Sequence, residues 1–572
     1  KEDVRRAGES ALSALAATDS FGVILAGHPY HVDPEVHHGI AELITSCGLG
    51  VLTEDCVAHL KPDPGPLRVV DQWTYHARLY RAGAFAAAMD HLAVLQLVSF
   101  GCGLDAITSD QLEEIVTTKG RLYAQIKIDE GANLGPARIR IRSLLAALRD
   151  RKDRQAAPPP VNVYKGSPPY TAQMRETHTI LIPQLSPIHF QFVESVFRAE
   201  GYRVEQLPKV DREAVELGLR YVHNDACFPA IVVVGQLMQA VHSGRYDPDR
   251  LALMISQTGG GCRATNYISF LRKALADCGL DHIPVVSFNM MGLEKNPGFK
   301  LSASLLRRAI MACIYGDVLM RMLLRVAPYE LEPGSADRLA AAWIERGKHT
   351  VTSASFFRYN REIQAMVAEF DNLPLRTEKR RPRVGLVGEI LLKYHPDANN
   401  MAAKVVEEEG GEAVVSDLMD FVLYSCYDGV YNYRHLAGCW KVAAVSLLGI
   451  GFMEFFRAGV ARTLRRSKRF TAPHSLRELR RKAQRFISLG HQTGEGWLLV
   501  AEMVEHLESG VHNILCMQPF GCLPNHITGK GVLKQLKQFF PHANIAAIDY
   551  DPGASEVNQL NRIKLMMSVA KA

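Results

Sequence analysis

Phe21-Gly22-Val23-Ile24-Leu25-Ala26-Gly27 is a short apolar run that stops at a glycine. Polar and proline residues follow (His28-Pro29-Tyr30-His31-Val32-Asp33-Pro34), then a helix-like stretch to Cys47-Gly48, then a second apolar run at Gly50-Val51-Leu52. Strand, loop, helix, glycine, strand is the signature of a βαβ unit. The same order recurs twice. Thr179-Ile180-Leu181-Ile182-Pro183 leads through a helix to Glu200-Gly201 and Tyr202-Arg203-Val204. Val384-Gly385-Leu386-Val387-Gly388 leads through a helix to Glu409-Gly410 and Glu412-Ala413-Val414-Val415. Three such openings predict an α/β fold of three Rossmann-like lobes, with parallel sheets around a central cleft. Two linkers separate them. Residues 149–160 are charged and then proline-rich, and 376–383 form a basic run containing Pro382. They place a first lobe at 1–150, a middle lobe at 161–377 and a third lobe at 378–572.

The length of 572 residues fits about three to four domains at roughly 150 residues each. A hydrophobic share of 47% against 22% charged residues is a globular composition and excludes general disorder. A formal charge of +6 over so long a chain predicts no nucleic-acid partner. Basic runs such as Arg465-Arg466-Ser467-Lys468-Arg469 read as solvated helical faces. No secretory signal opens the chain, and the apolar stretches at 92–98 and 442–452 fall short of the ~18 residues that span a bilayer. A cytoplasmic protein with reduced thiols and no membrane contact is expected. No G-x-x-x-x-G-K-[ST] motif occurs, so the chain itself is not read as a P-loop ATPase. Its first residue is Lys1 rather than Met, so a preceding segment is expected.

The second half of the first lobe repeats in the third. Phe100-Gly101-Cys102 precedes Ile107-Thr108 as Phe520-Gly521-Cys522 precedes Ile527-Thr528. Asp129 and Asp549 each lie 27 residues after their cysteine, and Arg142 and Arg562 each lie 40 after it. These ungapped offsets predict that Cys102 superposes on Cys522, Asp129 on Asp549 and Arg142 on Arg562. The middle lobe has a looser equivalent, an apolar run at 251–256 followed by Gly259-Gly260-Gly261-Cys262.

In each lobe a strand thus ends in a glycine-containing loop that carries one cysteine, and a helix follows. Open α/β sheets bind ligands outside the carboxyl ends of their strands. A helix N-terminus favours thiolate there, and glycine lets backbone N–H groups approach a bound anion. A fourth loop, Asn224-Asp225-Ala226-Cys227-Phe228-Pro229, is built alike. Cys102, Cys227, Cys262 and Cys522 are therefore the candidate metal ligands. Gly101, Gly260, Gly261, Arg263, Asn266 and Asn525 are candidate cofactor-binding residues, and Asp105, Glu495 and His526 candidate catalytic helpers.

Three readings of the thiols stand side by side. Dispersed cysteines converging from several lobes suit an iron–sulfur cluster. Structural zinc prefers closely paired ligands such as C-x-x-C, which is absent here. Buried cysteines beside functional backbone loops are the third. Cys47, Cys278 and Cys313 read as small hydrophobes inside helices, and Cys516 as part of a strand. His37 and His38 are adjacent on a helix, face apart, and read as surface or capping groups.

At several of these places the chain resembles a known family. Gly27-His28-Pro29-Tyr30-His31, Asn224-Asp225-Ala226-Cys227-Phe228-Pro229, Gln257-Thr258-Gly259-Gly260-Gly261-Cys262-Arg263, Gly494-Glu495-Gly496-Trp497 and Pro519-Phe520-Gly521-Cys522-Leu523-Pro524-Asn525-His526 look like the cysteine-rich half of large 2-hydroxyacyl-CoA dehydratase activase-related proteins. That half is similar to dehydratase subunits and to double-cubane cluster proteins. The resemblance implies a [4Fe–4S] or double-cubane cluster, and electrons delivered by an ATP-dependent activase with an actin-like ATPase domain, separate or fused before Lys1. It carries the three cluster cysteines of a dehydratase subunit onto Cys102, Cys227 and Cys262. Cys522 has no clear counterpart there and stands as a fourth candidate.

The reading that follows is an iron–sulfur reductase module of an anaerobic system, acting on a small substrate of the acyl-CoA class and assembled as a homo-oligomer. A non-catalytic iron–sulfur electron carrier or scaffold, and a zinc-stabilised binding module, are the alternatives.

Overall fold

A computed structural model describes residues 1–131, 133–154, 166–258, 260–288, 294, 296–376 and 380–571. The lobe boundaries expected at 161, 377 and 378, and Gly259 of the glycine loop, lie outside the described residues.

The described residues form three four-stranded sheets, all parallel, flanked by helices. The first holds β1 (Gly22–Ala26), β2 (Gly50–Thr53), β3 (Leu92–Ser99) and β4 (Tyr123–Ile128). The second holds β5 (Thr179–Ile182), β6 (Val204–Gln206), β7 (Leu251–Ser256) and β8 (Val285–Phe288). The third holds β9 (Arg383–Gly388), β10 (Glu412–Val415), β11 (Asn513–Pro519) and β12 (Asn544–Tyr550). Their orders are β2-β1-β3-β4, β6-β5-β7-β8 and β10-β9-β11-β12, one topology three times. The Rossmann-like α/β expectation is borne out. Alternate residues of β1 show why helices are needed on both faces. Val23 and Leu25 pack with Ile44 and Ile141, while Ile24 and Ala26 pack with Leu79 and Leu112.

The chain packs as two compact units. One comprises Lys1–Ser167, Leu219–Ala226 and Arg263–Asp281; the other comprises Pro168–Gly218, Cys227–Cys262 and His282–Ala572. The first sheet belongs to the first unit, and the other two sheets to the second.

Sheet register supports the repeat but corrects two of its three residue pairs. Phe100 N donates to Ile128 O and Phe520 N to Tyr550 O, each at 3.0 Å. Cys102 therefore matches Cys522 at an offset of 420 (522 − 102), whereas the last strands match at 422 (550 − 128). Asp129 corresponds to Asp551, not Asp549. Both Asp129 and Asp551 accept from the N–H two residues on, Gly131 and Gly553, at 2.8 Å. Asp549 lies inside β12 opposite Gln518, where the first sheet has Lys127 opposite Val98. At the same offset Arg562 follows Arg140 rather than Arg142 (562 − 140 = 422). The slip arises between cysteine and strand. Helix Gly103–Thr117 runs unbroken, but its counterpart divides after Leu523–Thr528 at Gly529.

Other expectations shift as well. Cys47 and Cys278 lie at the C-caps of helices Ile40–Ser46 and Tyr267–Asp277, not inside them. Cys516 lies within β11, as expected. His37 caps a helix, its Nδ1 accepting from Gly39 N and Ile40 N at 3.1 and 3.2 Å. The apolar stretch read to end at 452 continues as helix Trp440–Leu464, which at 25 residues is long and apolar enough to cross a membrane. It packs on helix Leu418–His435, and its Arg457 is buried against Asp420 at 2.8 Å.

Candidate metal centre

In the first unit the chain passes from β1 outward to β2 and then back across to β3, so the carboxyl ends of β1 and β3 form a topological switch point. Cys102 arrives there from β3 as the N-cap of helix Gly103–Thr117, in extended backbone (φ −79, ψ 107). Gly101 turns the chain in left-handed backbone at φ 68, which glycine adopts without a Cβ penalty. From β1 comes His28, whose Nε2 is 2.7 Å from Asp105 Oδ1 and 3.7 Å from Cys102 Sγ. Asp105 Oδ2 accepts from Ser99 N at 2.8 Å, which ties the carboxylate to the end of β3.

Burial alone would lower the His28 pKa. The hydrogen bonds and negative charges of Asp105 and Cys102 outweigh it and raise the value to about 9. His31 goes the other way, pushed by burial to about 4. Its neutral ring accepts the His28 N–H on Nδ1 at 3.0 Å, which leaves Nε2–H to donate to Ser99 Oγ at 3.1 Å. Tyr30 and Tyr75 flank the His28 ring, with centroids at 4.8 and 4.5 Å.

One donor atom each from His28, Cys102 and Asp105 lie within 4.8 Å of one another, and no other such set of three occurs among the described residues. Nitrogen, sulfur and carboxylate oxygen are a transition-metal donor set. Arg263 closes the loop's other side. A Cβ on Gly103 would lie 1.3 Å from Arg263 Nη1, so the guanidinium occupies the space that glycine leaves beside Cys102. Asn266 does not face this loop's ligands; its amide holds Val70 through Val70 N (2.7 Å) and Val70 O (3.3 Å).

The third sheet repeats the frame with other side chains. Ala26 pairs with Gln96, and Val387 with Cys516, so Glu389 stands where His28 stands. Asn525 stands where Asp105 stands, three residues after its cysteine. With its amide nitrogen toward Glu495, Asn525 donates to Glu495 Oε2 at 2.8 Å and accepts from Glu389 N at 3.3 Å. Glu495 Oε1 accepts from Ile390 N at 3.0 Å. Burial raises the Glu495 carboxyl pKa. Glu495 and Asn525 therefore brace the loop after β9 against the Cys522 helix. His526 is exposed on that helix.

Cys522 is the N-cap of Leu523–Thr528 in backbone like that of Cys102 (φ −73, ψ 98), preceded by Gly521 at φ 67. Cys227 is the N-cap of the buried helix Phe228–His242. Cys262 is partly exposed. A Cβ on Gly261 would lie 3.3 Å from Thr493 Oγ1, and one on Gly494 would lie 3.1 Å from Pro524 Cβ. The Cys262 loop and the Cys522 helix therefore abut the same turn, Thr493-Gly494. Among the described residues, nothing lies within 4 Å of the place a Cβ on Gly260 would take.

Of the candidates in the first unit, Cys102, Asp105, Gly101 and Arg263 come together. In the second unit Gly261, Cys262 and Cys522 gather about one turn, with Glu495 and Asn525 behind them. His28 was missed. It stands in the Gly27-His28-Pro29-Tyr30-His31 motif without a role there, yet its place one loop after β1, across the switch point from β3, is a usable signal.

Residues 1–57 match the family described as CoA enzyme activase uncharacterised domain. The match includes β1, β2 and His28, and the similarity to that family is confined to those residues. No curated protein matches the chain.

Proposed function

We propose that the chain is an iron–sulfur module that accepts a low-potential electron from an ATP-dependent activase and passes it to a small substrate of the acyl-CoA class. Cys102, Cys227 and Cys262 are its proposed cluster ligands, with Cys522 as the fourth. The observation that carries this reading is the helix-cap geometry. Cys102, Cys227 and Cys522 are N-caps in extended backbone, each at the start of a helix. A sulfur held there presents its bound group to the first-turn N–H groups and the positive end of the helix dipole, which favours an anionic cluster. Thiolate donors suit such a cluster, and its chemistry would be one-electron transfer at a potential tuned by the surrounding hydrogen bonds.

The other residues take supporting parts. His28 sets one ring nitrogen, Nε2, between Asp105 Oδ1 at 2.7 Å and the Cys102 sulfur at 3.7 Å. Arg263 sets a buried positive charge beside the same helix start. Glu495 and Asn525 fix the Cys522 loop rather than transfer protons, and His526 is exposed to solvent. The relation to CoA enzyme activases supports the partner, and through it the acyl-CoA class.

Cys522 separates a reductase from a carrier. If its sulfur is a fourth ligand, every iron of one cubane is capped by thiolate, and electron transfer is the job. A Cys522→Ser chain reconstituted anaerobically is the test. Loss of iron or a changed electron paramagnetic resonance signal, with the fold confirmed by circular dichroism, is expected. Full iron content and an unchanged signal would exclude Cys522 and leave one iron open to substrate.

The zinc reading keeps one specific support, the His28, Cys102 and Asp105 donor set. Stoichiometric zinc bound by the wild type and lost from His28→Gln would favour it.

A further inference from the structure

We propose that a basic cavity in the first unit, bordered by Asn224, binds the phosphate groups of an adenine nucleotide, free or as the handle of coenzyme A. The cavity has a volume of about 680 Å³ and is walled by Lys127 of β4, Arg140, Arg220, Tyr221, Asn224 and Lys273. That size is within the roughly 300–1,000 Å³ of small-ligand sites.

The charges do not cancel. Lys127 Nζ is 2.6 Å from Asp225 Oδ2. Lys273 Nζ is 3.6 Å from Asp110 Oδ1 and 3.4 Å from Asp277 Oδ2. Asp110 also pairs with Arg68 at 2.6 Å. Asp110 itself lines the cavity, and Arg68 also pairs with Glu114 at 3.0 Å, so four carboxylates meet Lys127, Lys273 and Arg68, and the excess positive charge rests on the two arginines of the wall. Arg140 and Arg220 are both exposed, and neither has a carboxylate partner among the described residues.

Two planar guanidinium groups in one concavity match a ligand with two anionic groups, because each fork can take two oxygens of a phosphate. A third feature points the same way. Pro136 and Ala137 also line the cavity, and they belong to the first turn of the 20-residue helix Gly135–Arg154, whose positive dipole end favours phosphate. Arg220 lies 5.5 Å from the centroid of the Tyr221 ring, so an aromatic face adjoins the anion site. Coenzyme A is chosen as a probe on the strength of the acyl-CoA reading above; the phosphate site itself does not depend on that reading or on a cluster.

The test is calorimetric titration of the full chain with ADP, coenzyme A and pantetheine, with iron measured on the same samples. Arg140→Gln and Arg220→Gln are each expected to weaken ADP and coenzyme A about tenfold, as loss of a charged hydrogen-bond pair should. Pantetheine, which lacks the nucleotide, should not bind. Arg138→Gln, on the same helix but outside the cavity wall, should change nothing. Coenzyme A binding more tightly than ADP would identify the source as the coenzyme handle, and the reverse a free nucleotide. The proposal is overturned if neither ADP nor coenzyme A binds, or if Arg138→Gln weakens them as much as the two wall variants. Unchanged iron content in the variants keeps this result separate from the cluster reading.

Discussion

Gly235→Ala perturbs the helix that presents Cys227. Helix Phe228–His242 crosses helix Arg212–Tyr221 with backbone against backbone. A Cβ at Gly235 would lie 1.9 Å from Ala214 O and 2.8 Å from Gly218 N, whereas ordinary contact begins at 3.4 Å. The helices must therefore part by about 1.5 Å (3.4 − 1.9) at the crossing. They cannot do so cheaply, since Ile231, Val232, Val234, Leu237 and Met238 are buried all round the helix. Overpacking of this kind costs about 1–3 kcal/mol, here at the upper end because the obstacle is main chain. Alanine returns up to about 1 kcal/mol of helix propensity, so the net loss is about 2 kcal/mol. A chain of two units has no single unfolding free energy, so the assay is native-state hydrogen exchange of the amides in 228–242. Their opening should become about 30-fold more frequent at 2 kcal/mol. Gly449→Ala is the control. Gly449 is also mid-helix, but a Cβ there meets nothing within 4 Å. It should slow exchange locally by up to about 1 kcal/mol. Equal effects of the two substitutions, or unchanged protection in Gly235→Ala, would refute the packing argument.

Lys393 and Glu502 form a buried ion pair, 2% exposed on each side chain, with Nζ 2.7 Å from Oε1. Lys393→Met should destabilise the second unit by about 3–5 kcal/mol in calorimetry, and Lys393→Met with Glu502→Leu should recover most of that loss. Asp428 gives a pH signature, because burial lifts its carboxyl to about 8. The unfolded carboxyl ionises near ~3.9, so Asp428's contribution is full below that pH and is lost as pH rises through about 8. Asp428→Asn should melt like the wild type near pH 4 and above it at pH 8, by about 2 kcal/mol once partial exposure is allowed for. Equal melting temperatures at both pH values would contradict this assignment.

The strands were legible because a buried parallel strand has to be short, apolar and sharply ended, and β1, β5 and β9 each stop at glycine or proline. The cysteine caps were legible for a related reason. Phe-Gly-Cys at the end of such a run leaves glycine to turn and cysteine to cap, and Gly101 and Gly521 adopt nearly the same φ. Counting residues failed beyond that point. A two-residue difference hidden in the helix after the cysteine made Asp549 resemble Asp129 by offset, while the sheet pairs Asp129's position with Asp551. The pairing of His28 with Cys102 and Asp105 was invisible to motif reading because those partners lie 74 and 77 positions away (102 − 28; 105 − 28), and only strand order joins them. The uses of Asn266, Glu495 and Asn525 were equally beyond reach. A polar side chain beside a loop looks the same in sequence whether it meets a ligand or a neighbouring backbone.

The central claim is tested most directly by iron and acid-labile sulfide per chain after anaerobic purification, read with the visible spectrum. The account predicts a brown protein with at least about four irons and four sulfides per chain, reduced in Cys102→Ser, Cys227→Ser and Cys262→Ser. A colourless protein carrying one zinc, or a folded chain that neither retains nor takes up iron and sulfide on reconstitution, would contradict it.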